Sequence, residues 1–225
     1  MASLMFWNVG RQEAGDAIGA LCREHGVDVL LLAETPTETA TLLRHLNGSG
    51  RARYWEYRPV ESRVRLFTRY PRRALSMVFD DGHVSIRGLR PPVGLQILIV
   101  AAHLPSKLWA TEGDQYYRMR QLRQYITQAE TRAGHQNTIV IGDLNANPFE
   151  DAVAAADGLN GVIGDSKMRS PQRTGLMASW TSASHNGRRG PCRIGPGISS
   201  TIQCGAGWVT SRVVRQGRTT TRVPA

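Results

Sequence analysis

The last sixty residues of this chain contain no aspartate and no glutamate, whereas residues 1–165 hold all eighteen acids. Eighteen Lys and Arg lie in residues 1–165 and ten follow, so the body is neutral and the tail carries the whole net charge of +10. A folded nucleic-acid groove interleaves its basic residues with strands and aromatics, and this distribution does not. Cysteine is scarce too. Cys22, Cys192 and Cys204 stand far apart, which excludes a disulfide framework and any paired zinc-ligand spacing. No apolar run approaches the roughly 20 residues that cross a bilayer, so no transmembrane segment is expected. The opening Met-Ala-Ser-Leu-Met-Phe-Trp-Asn has neither a basic n-region nor a signal-peptide core. The expectation is a cytoplasmic, reduced setting and a monomer.

What is present suits one α/β domain, since 225 residues at 41% hydrophobic content can bury a sizeable core. Leu4–Asn8 reads as a short buried strand, followed by a helix over residues 12–25 with apolar positions Ala17, Ile18, Leu21 and Cys22. Residues 27–33 form a second buried strand ending in Glu34. Thr35-Pro36-Thr37-Glu38 then has the pattern of a capping box that opens a helix through Leu46. Antiparallel strands are expected over 54–59, 63–70, 74–79 and 83–87, with Asp80-Asp81-Gly82 as a turn. Residues 94–102 form another buried strand, ending in His103. A long helix is predicted over 112–133, with Tyr116, Met119, Leu122, Ile126 and Ala129 on one stripe. The run Ile139-Val140-Ile141-Gly142-Asp143-Leu144-Asn145 is a strand at 138–142 that delivers two polar side chains at its carboxyl end, before Asn147-Pro148 and a short helix over 149–156.

Each polar strand end has an ordinary reading taken alone: Asn8 as a turn former, Glu34 as a helix-start charge, His103 as a core histidine. Four buried strands that all end this way point instead to one site, because strand ends of packed α/β sheets are where sites are built. Asp143 and Asn145, two apart, face one target together. Asn8, Glu34 and Asp143 offer hard oxygen atoms suited to Mg²⁺. A histidine beside them suits proton transfer or stabilisation of a charged phosphoryl oxygen. That equipment fits hydrolysis of phosphate esters.

Phe6-Trp7-Asn8-Val9, Leu32-Ala33-Glu34, Ala102-His103-Leu104-Pro105-Ser106 and Ile141-Gly142-Asp143-Leu144-Asn145, in that order and spacing, resemble the endonuclease/exonuclease/phosphatase superfamily over residues 4–160. The resemblance implies a four-layer α/β sandwich of two mixed β-sheets. It implies that Asn8 and Glu34 hold Mg²⁺, with Mn²⁺ as an alternative. His103 would contact the scissile phosphate or act as acid, Asp143 would orient the attacking water, and Asn145 would bind phosphate oxygens. Arg118 and Gln121, after the His103 loop, are expected on the helix surface or in support behind the site. The substrate is a phosphate ester drawn from nucleic acid, phospholipid or small phosphates.

Superfamily members also close with a strand ending in Ser-Asp-His, which supplies a metal-holding Asp and a general base. No acid follows Asp165 here, and His185 sits in Ser-Ala-Ser-His-Asn-Gly, with no Asp beside it. Residues 166–225 lose periodicity and read as a basic segment of low order, separate from an incomplete domain over 1–165. The expectation is that the C-terminal strands are missing. An out-of-frame origin suits this segment. Ser199–Trp208, read from the third base of each codon, permits Phe-Tyr-Asn-Pro-Met-Trp, and the residues beyond permit Pro-Pro-Gly-Thr-Tyr-Tyr-Tyr. Both strings occur in one branch of the superfamily. A phosphoesterase weakened or silenced by the lost Asp and His is therefore expected. The alternatives are a non-catalytic nucleic-acid binder using the basic tail, which has no Tyr or Phe for stacking, or an inactive remnant that merely keeps the fold.

Overall fold

A computed structural model of the protein describes residues 2–48, 53–58, 60–106, 111–146, 151–154, 159, 177–180 and 209–212. Its elements run β1 (Leu4–Asn8), α1 (Gly15–Glu24), β2 (Val29–Ala33), α2 (Thr39–Asn47), β3 (Trp55–Tyr57), β4 (Val64–Thr68), a 3₁₀ turn at Arg72–Ala74, β5 (Leu75–Asp80), β6 (Val84–Leu89), β7 (Ile97–His103), α3 (Glu112–Ala133), β8 (Thr138–Asp143), α4 (Asp151–Ala154), β9 (Met177–Trp180) and β10 (Val209–Arg212). One sheet has the order β1-β2-β4-β3 and the other β5-β6-β7-β8-β10-β9. Both are mixed, with β1 parallel to β2, β7 parallel to β8, and antiparallel pairs elsewhere.

Alternation along the strands sorts the side chains into layers. Phe6, Leu31, Ala33 and Leu66 of the first sheet meet Leu89, Ile99, Ala101 and Ile141 of the second. The opposite face of the first sheet carries Met5, Leu30, Leu32 and Phe67 under Ile18 and Cys22 of α1 and Leu42 and Leu46 of α2. On the far face of the second sheet, Ile86, Val100, Ala102 and Val140 pack against Met119, Leu122, Ile126 and Ala129 of α3. The result is the expected helix–sheet–sheet–helix sandwich. Burial pushes the Cys22 thiol up to about 12, which leaves it protonated and inert as a nucleophile.

α3 matches its predicted bounds because both ends are marked. Thr111 and Asp114 form a capping box, and Gly134 takes the left-handed conformation at the other end. The capping box expected at Thr35–Glu38 does not form. α2 starts at Thr39 instead of Pro36, three residues later, without a side-chain cap. Tertiary bonds hold the intervening segment extended: Thr37 donates to Glu13 at 2.5 Å, and Arg65 donates to the Thr37 carbonyl at 2.6 Å and to Thr39 at 2.8 Å. The described residues of the expected 149–156 helix, Asp151–Ala154, are helical. One further departure concerns the C-terminal part: the segment expected to lack strands contributes the short pair β9 and β10, antiparallel to each other. β10 joins β8 through the single register pair Thr210 and Ile141. Asn147, Pro148 and His185 lie outside the described residues. Among those residues, no helix is long and apolar enough to cross a membrane.

A buried ion pair fastens a loop at the site end of the sandwich. Arg87 and Asp80, 1% and 4% exposed, meet at 2.9 Å. The Arg87 guanidinium lies 5.0 Å from the Tyr57 ring of the other sheet, and Asp80 accepts the Val60 backbone N–H at 2.6 Å. The β3–β4 loop is thereby tied to the second sheet.

Gly142 shows how tightly the parallel pair β7 and β8 closes beside the site. Its φ is +154°, and a Cβ there would lie 1.9 Å from the Ala102 carbonyl oxygen. Only glycine fits such an approach. Gly142→Ala is expected to cost more than about 2 kcal/mol in urea denaturation. Gly113→Ala, in the first turn of α3, where a Cβ would meet only Thr111 Oγ1 at an ordinary 3.8 Å, is expected to stabilise by about 0.5 kcal/mol.

Candidate functional site

Parallel pairing brings the polar strand ends level. In the first sheet Asn8 is in register with Ala33, so Glu34 follows directly beside it. In the second, His103 is in register with Asp143. Stacking of the two sheets then places all four ends at one mouth. Asn8 is the joint: its amide nitrogen donates to Asp143 Oδ2 at 3.1 Å and to Glu34 Oε1 at 3.4 Å. His103 Nε2 lies 3.3 Å from the same Glu34 oxygen. Asp143 accepts the Asn145 backbone N–H at 3.0 Å, and the Asn145 amide donates to the Leu104 carbonyl at 2.7 Å. Asn8, Glu34, His103, Asp143 and Asn145 thus form one connected set.

Backbone geometry at the site is constrained in the way functional corners often are. Glu34 and Asn145 have φ of +51° and +49°. Asn tolerates the left-handed region, but for Glu it is uncommon and requires the surroundings to hold it. Arg11 supplies one such hold, donating its N–H to the Glu34 carbonyl at 2.9 Å. The left-handed turn directs the Glu34 chain out of β2 at once, leaving its side chain 35% exposed, whereas the His103 side chain is 12% exposed. His103 Nδ1 is buried with no hydrogen-bond partner among the described residues.

Among the described residues, no three His, Cys, Asp or Glu side chains cluster as a metal cage. Mg²⁺ does not require one, since it keeps several waters and takes one or two carboxylates. Glu34, accessible and beside Asp143, fits that role. Asn8 fits it less directly. Its oxygen accepts the Gly10 N–H at 3.0 Å while its nitrogen faces the carboxylates. In this arrangement Asn8 spaces the two carboxylates and donates to both, and ligation would require its amide to turn over.

Two residues at the site were missed in the sequence. Gln115, buried on α3, donates to the Asn145 carbonyl at 2.9 Å. Its signal was available: a polar side chain on the stripe of Met119, Leu122 and Ile126. His83 brackets His103, its Nδ1 lying 3.1 Å from the His103 carbonyl while its own carbonyl accepts the His103 N–H at 2.8 Å. Arg118 and Gln121 pair with each other at 3.5 Å.

The chain matches the model of the endonuclease/exonuclease/phosphatase family over residues 5–212, which runs past the boundary expected at 165. No curated protein matches it. Among solved structures it is similar to humanized TDP2 of D. rerio carrying 14 mutations, at 18% identity and a TM-score of 0.44, covering 70% of this chain and 66% of that one. An endonuclease/exonuclease/phosphatase family protein from Leptotrichia buccalis is similar at 15% identity and 0.47, over 70% of this chain and 73% of that one. The human Nocturnin catalytic domain with a bound sulfate anion is similar at 16% identity and 0.45, over 69% of this chain and 70% of that one.

The bridging role of Asn8 is open to a double-mutant cycle. Asn8→Ala and Asp143→Ala are expected to be non-additive in unfolding free energy by about 1 kcal/mol. Additivity within about 0.3 kcal/mol would show that the bond carries nothing.

Proposed function

Because the chain belongs to the endonuclease/exonuclease/phosphatase family, a family of phosphate-ester hydrolases, we propose that its five strand-end residues form a Mg²⁺-dependent phosphoesterase site, with Mn²⁺ as an alternative ion. The observation that carries this reading is the single Asn8 amide reaching both Glu34 and Asp143 across two sheets, with His103 on the same Glu34 oxygen. Glu34 is the residue to hold the ion, assisted by Asn8 if its amide turns. The ion would supply positive charge opposite the phosphoryl oxygens.

The chain's own groups divide the remaining work. Asp143, already fixed through Oδ1 by the Asn145 N–H, accepts a hydrogen bond from the attacking water and orients it. Asn145 spends one amide hydrogen on Leu104 and has a second to donate to a phosphate oxygen. His103 Nε2 lies 3.3 Å from Glu34 Oε1 and is placed to contact the phosphate or protonate the leaving oxygen. The proton of the attacking water falls to Asp143, because the chain supplies no Asp-His after residue 165. Loss of a positioned base costs about 10²–10⁴-fold, so turnover is slow or negligible. Residues 166–225 are best read as a basic segment of out-of-frame origin attached to an incomplete domain. An unbroken reading frame through codons 158–200, shared by related strains, would refute that origin.

Phosphate-ester substrates suit the site, and the neutral body disfavours long polyanions. The ten unopposed basic residues of the tail favour one rival, a nucleic-acid binder. It requires steeply salt-dependent binding that disappears on deleting residues 166–225.

Hydrolysis of bis-(p-nitrophenyl) phosphate is expected to be slow, abolished by chelation and restored by Mg²⁺ or Mn²⁺. Glu34→Ala and Asp143→Ala should each lower kcat/KM about 100-fold or more. Turnover that neither substitution reduces would refute the assignment.

A further inference from the structure

We infer that Gln115 is a positioning residue of this site, holding the main chain of Asn145 so that Asp143 and Asn145 face the phosphate together. The inference rests on the phosphoesterase reading above. Gln115 is 8% exposed, on an α3 face otherwise given to Met119, Leu122, Ile126 and Ala129. An amide in that position is costly unless its hydrogen bonds are made. The bond it makes runs thirty residues along the chain, from Nε2 to the Asn145 carbonyl at 2.9 Å.

The carbonyl it grips belongs to a left-handed residue, φ +49°. Three other bonds fix the same corner: the Asn145 N–H to Asp143 Oδ1, the Asn145 amide to the Leu104 carbonyl, and the Leu104 N–H to the Asp143 carbonyl. These three lie within the loops that follow β7 and β8. Among the described residues, Gln115 is the tie from this corner to a helix, α3, which is capped at both ends. A rotation of Asn145 about its own backbone bonds would draw its N–H away from Asp143 and its side-chain amide away from Leu104. Gln115 opposes that rotation by holding the 145–146 peptide through its carbonyl, while Asp143 accepts from the 144–145 peptide, so that Asn145 is clamped on both sides. A displacement of about 1 Å at such a centre can cost 10²-fold in rate.

The test uses the full chain with Mg²⁺ and inorganic phosphate as the probe, so that it does not depend on turnover. Calorimetry would compare the parent with Gln115→Met and Gln115→Glu. Gln115→Met, similar in shape but unable to donate, is expected to weaken phosphate binding about tenfold. Gln115→Glu should be as weak near pH 8 and recover towards the parent, compared at each pH, as its carboxyl protonates and regains a donor. Mere packing would not produce that recovery. Unchanged affinity in Gln115→Met, or no recovery in Gln115→Glu, overturns the positioning role and leaves the phosphoesterase reading standing. A parent chain that binds no phosphate overturns both.

Discussion

Two carboxylates, Glu34 from one sheet and Asp143 from the other, share the amide of Asn8, and the site depends on that arrangement. Negative groups brought to one mouth repel unless something positive or hydrogen-bonding lies between them. A neutral amide can separate them without cancelling the negative potential that a cation requires. It also couples the layers, since Asn8 ends β1 while Asp143 ends β8. The geometry of the mouth therefore reports the stacking of the whole sandwich, set in turn by Phe6, Leu31, Ile99 and Ile141 between the sheets.

The backbone constraints follow from the same need. Glu34 must leave β2 sharply to bring its carboxylate to Asn8 and His103, and it does so through a left-handed turn that ordinary residues avoid. Gly142 lets β8 run against the Ala102 carbonyl, so that Asp143 emerges level with His103. The tertiary bonds of Arg65 and Thr37 delay α2 and hold the segment after Glu34 extended. Local preference, which favours starting that helix at once, gives way to the position of the site.

Much of this was legible in the sequence. Apolar runs that stop at polar residues marked Asn8, Glu34, His103, Asp143 and Asn145, because a buried strand can show its polarity only where it leaves the core. α3 was legible from its apolar stripe of Tyr116, Met119, Leu122, Ile126 and Ala129, and in the structure Thr111 and Gly134 mark its ends. The start of α2 was not, because the competing bonds come from Arg65 and Glu13, distant in sequence. Gln115 was hidden by its stripe, where a single amide reads as an irregularity until its partner thirty residues away is known. The orientation of the Asn8 amide was also invisible, as it depends on the Gly10 N–H claiming the oxygen. The short pair β9 and β10 lacks the apolar periodicity that marks the other strands.

The central claim is that Glu34, held beside Asp143 by Asn8, is a divalent-cation ligand. Mn²⁺ binding followed by electron paramagnetic resonance, on the parent chain and on Glu34→Gln, tests it most directly. One bound ion in the parent, with affinity at least about tenfold weaker in Glu34→Gln, is the predicted result. Equal Mn²⁺ binding by the two proteins would contradict it.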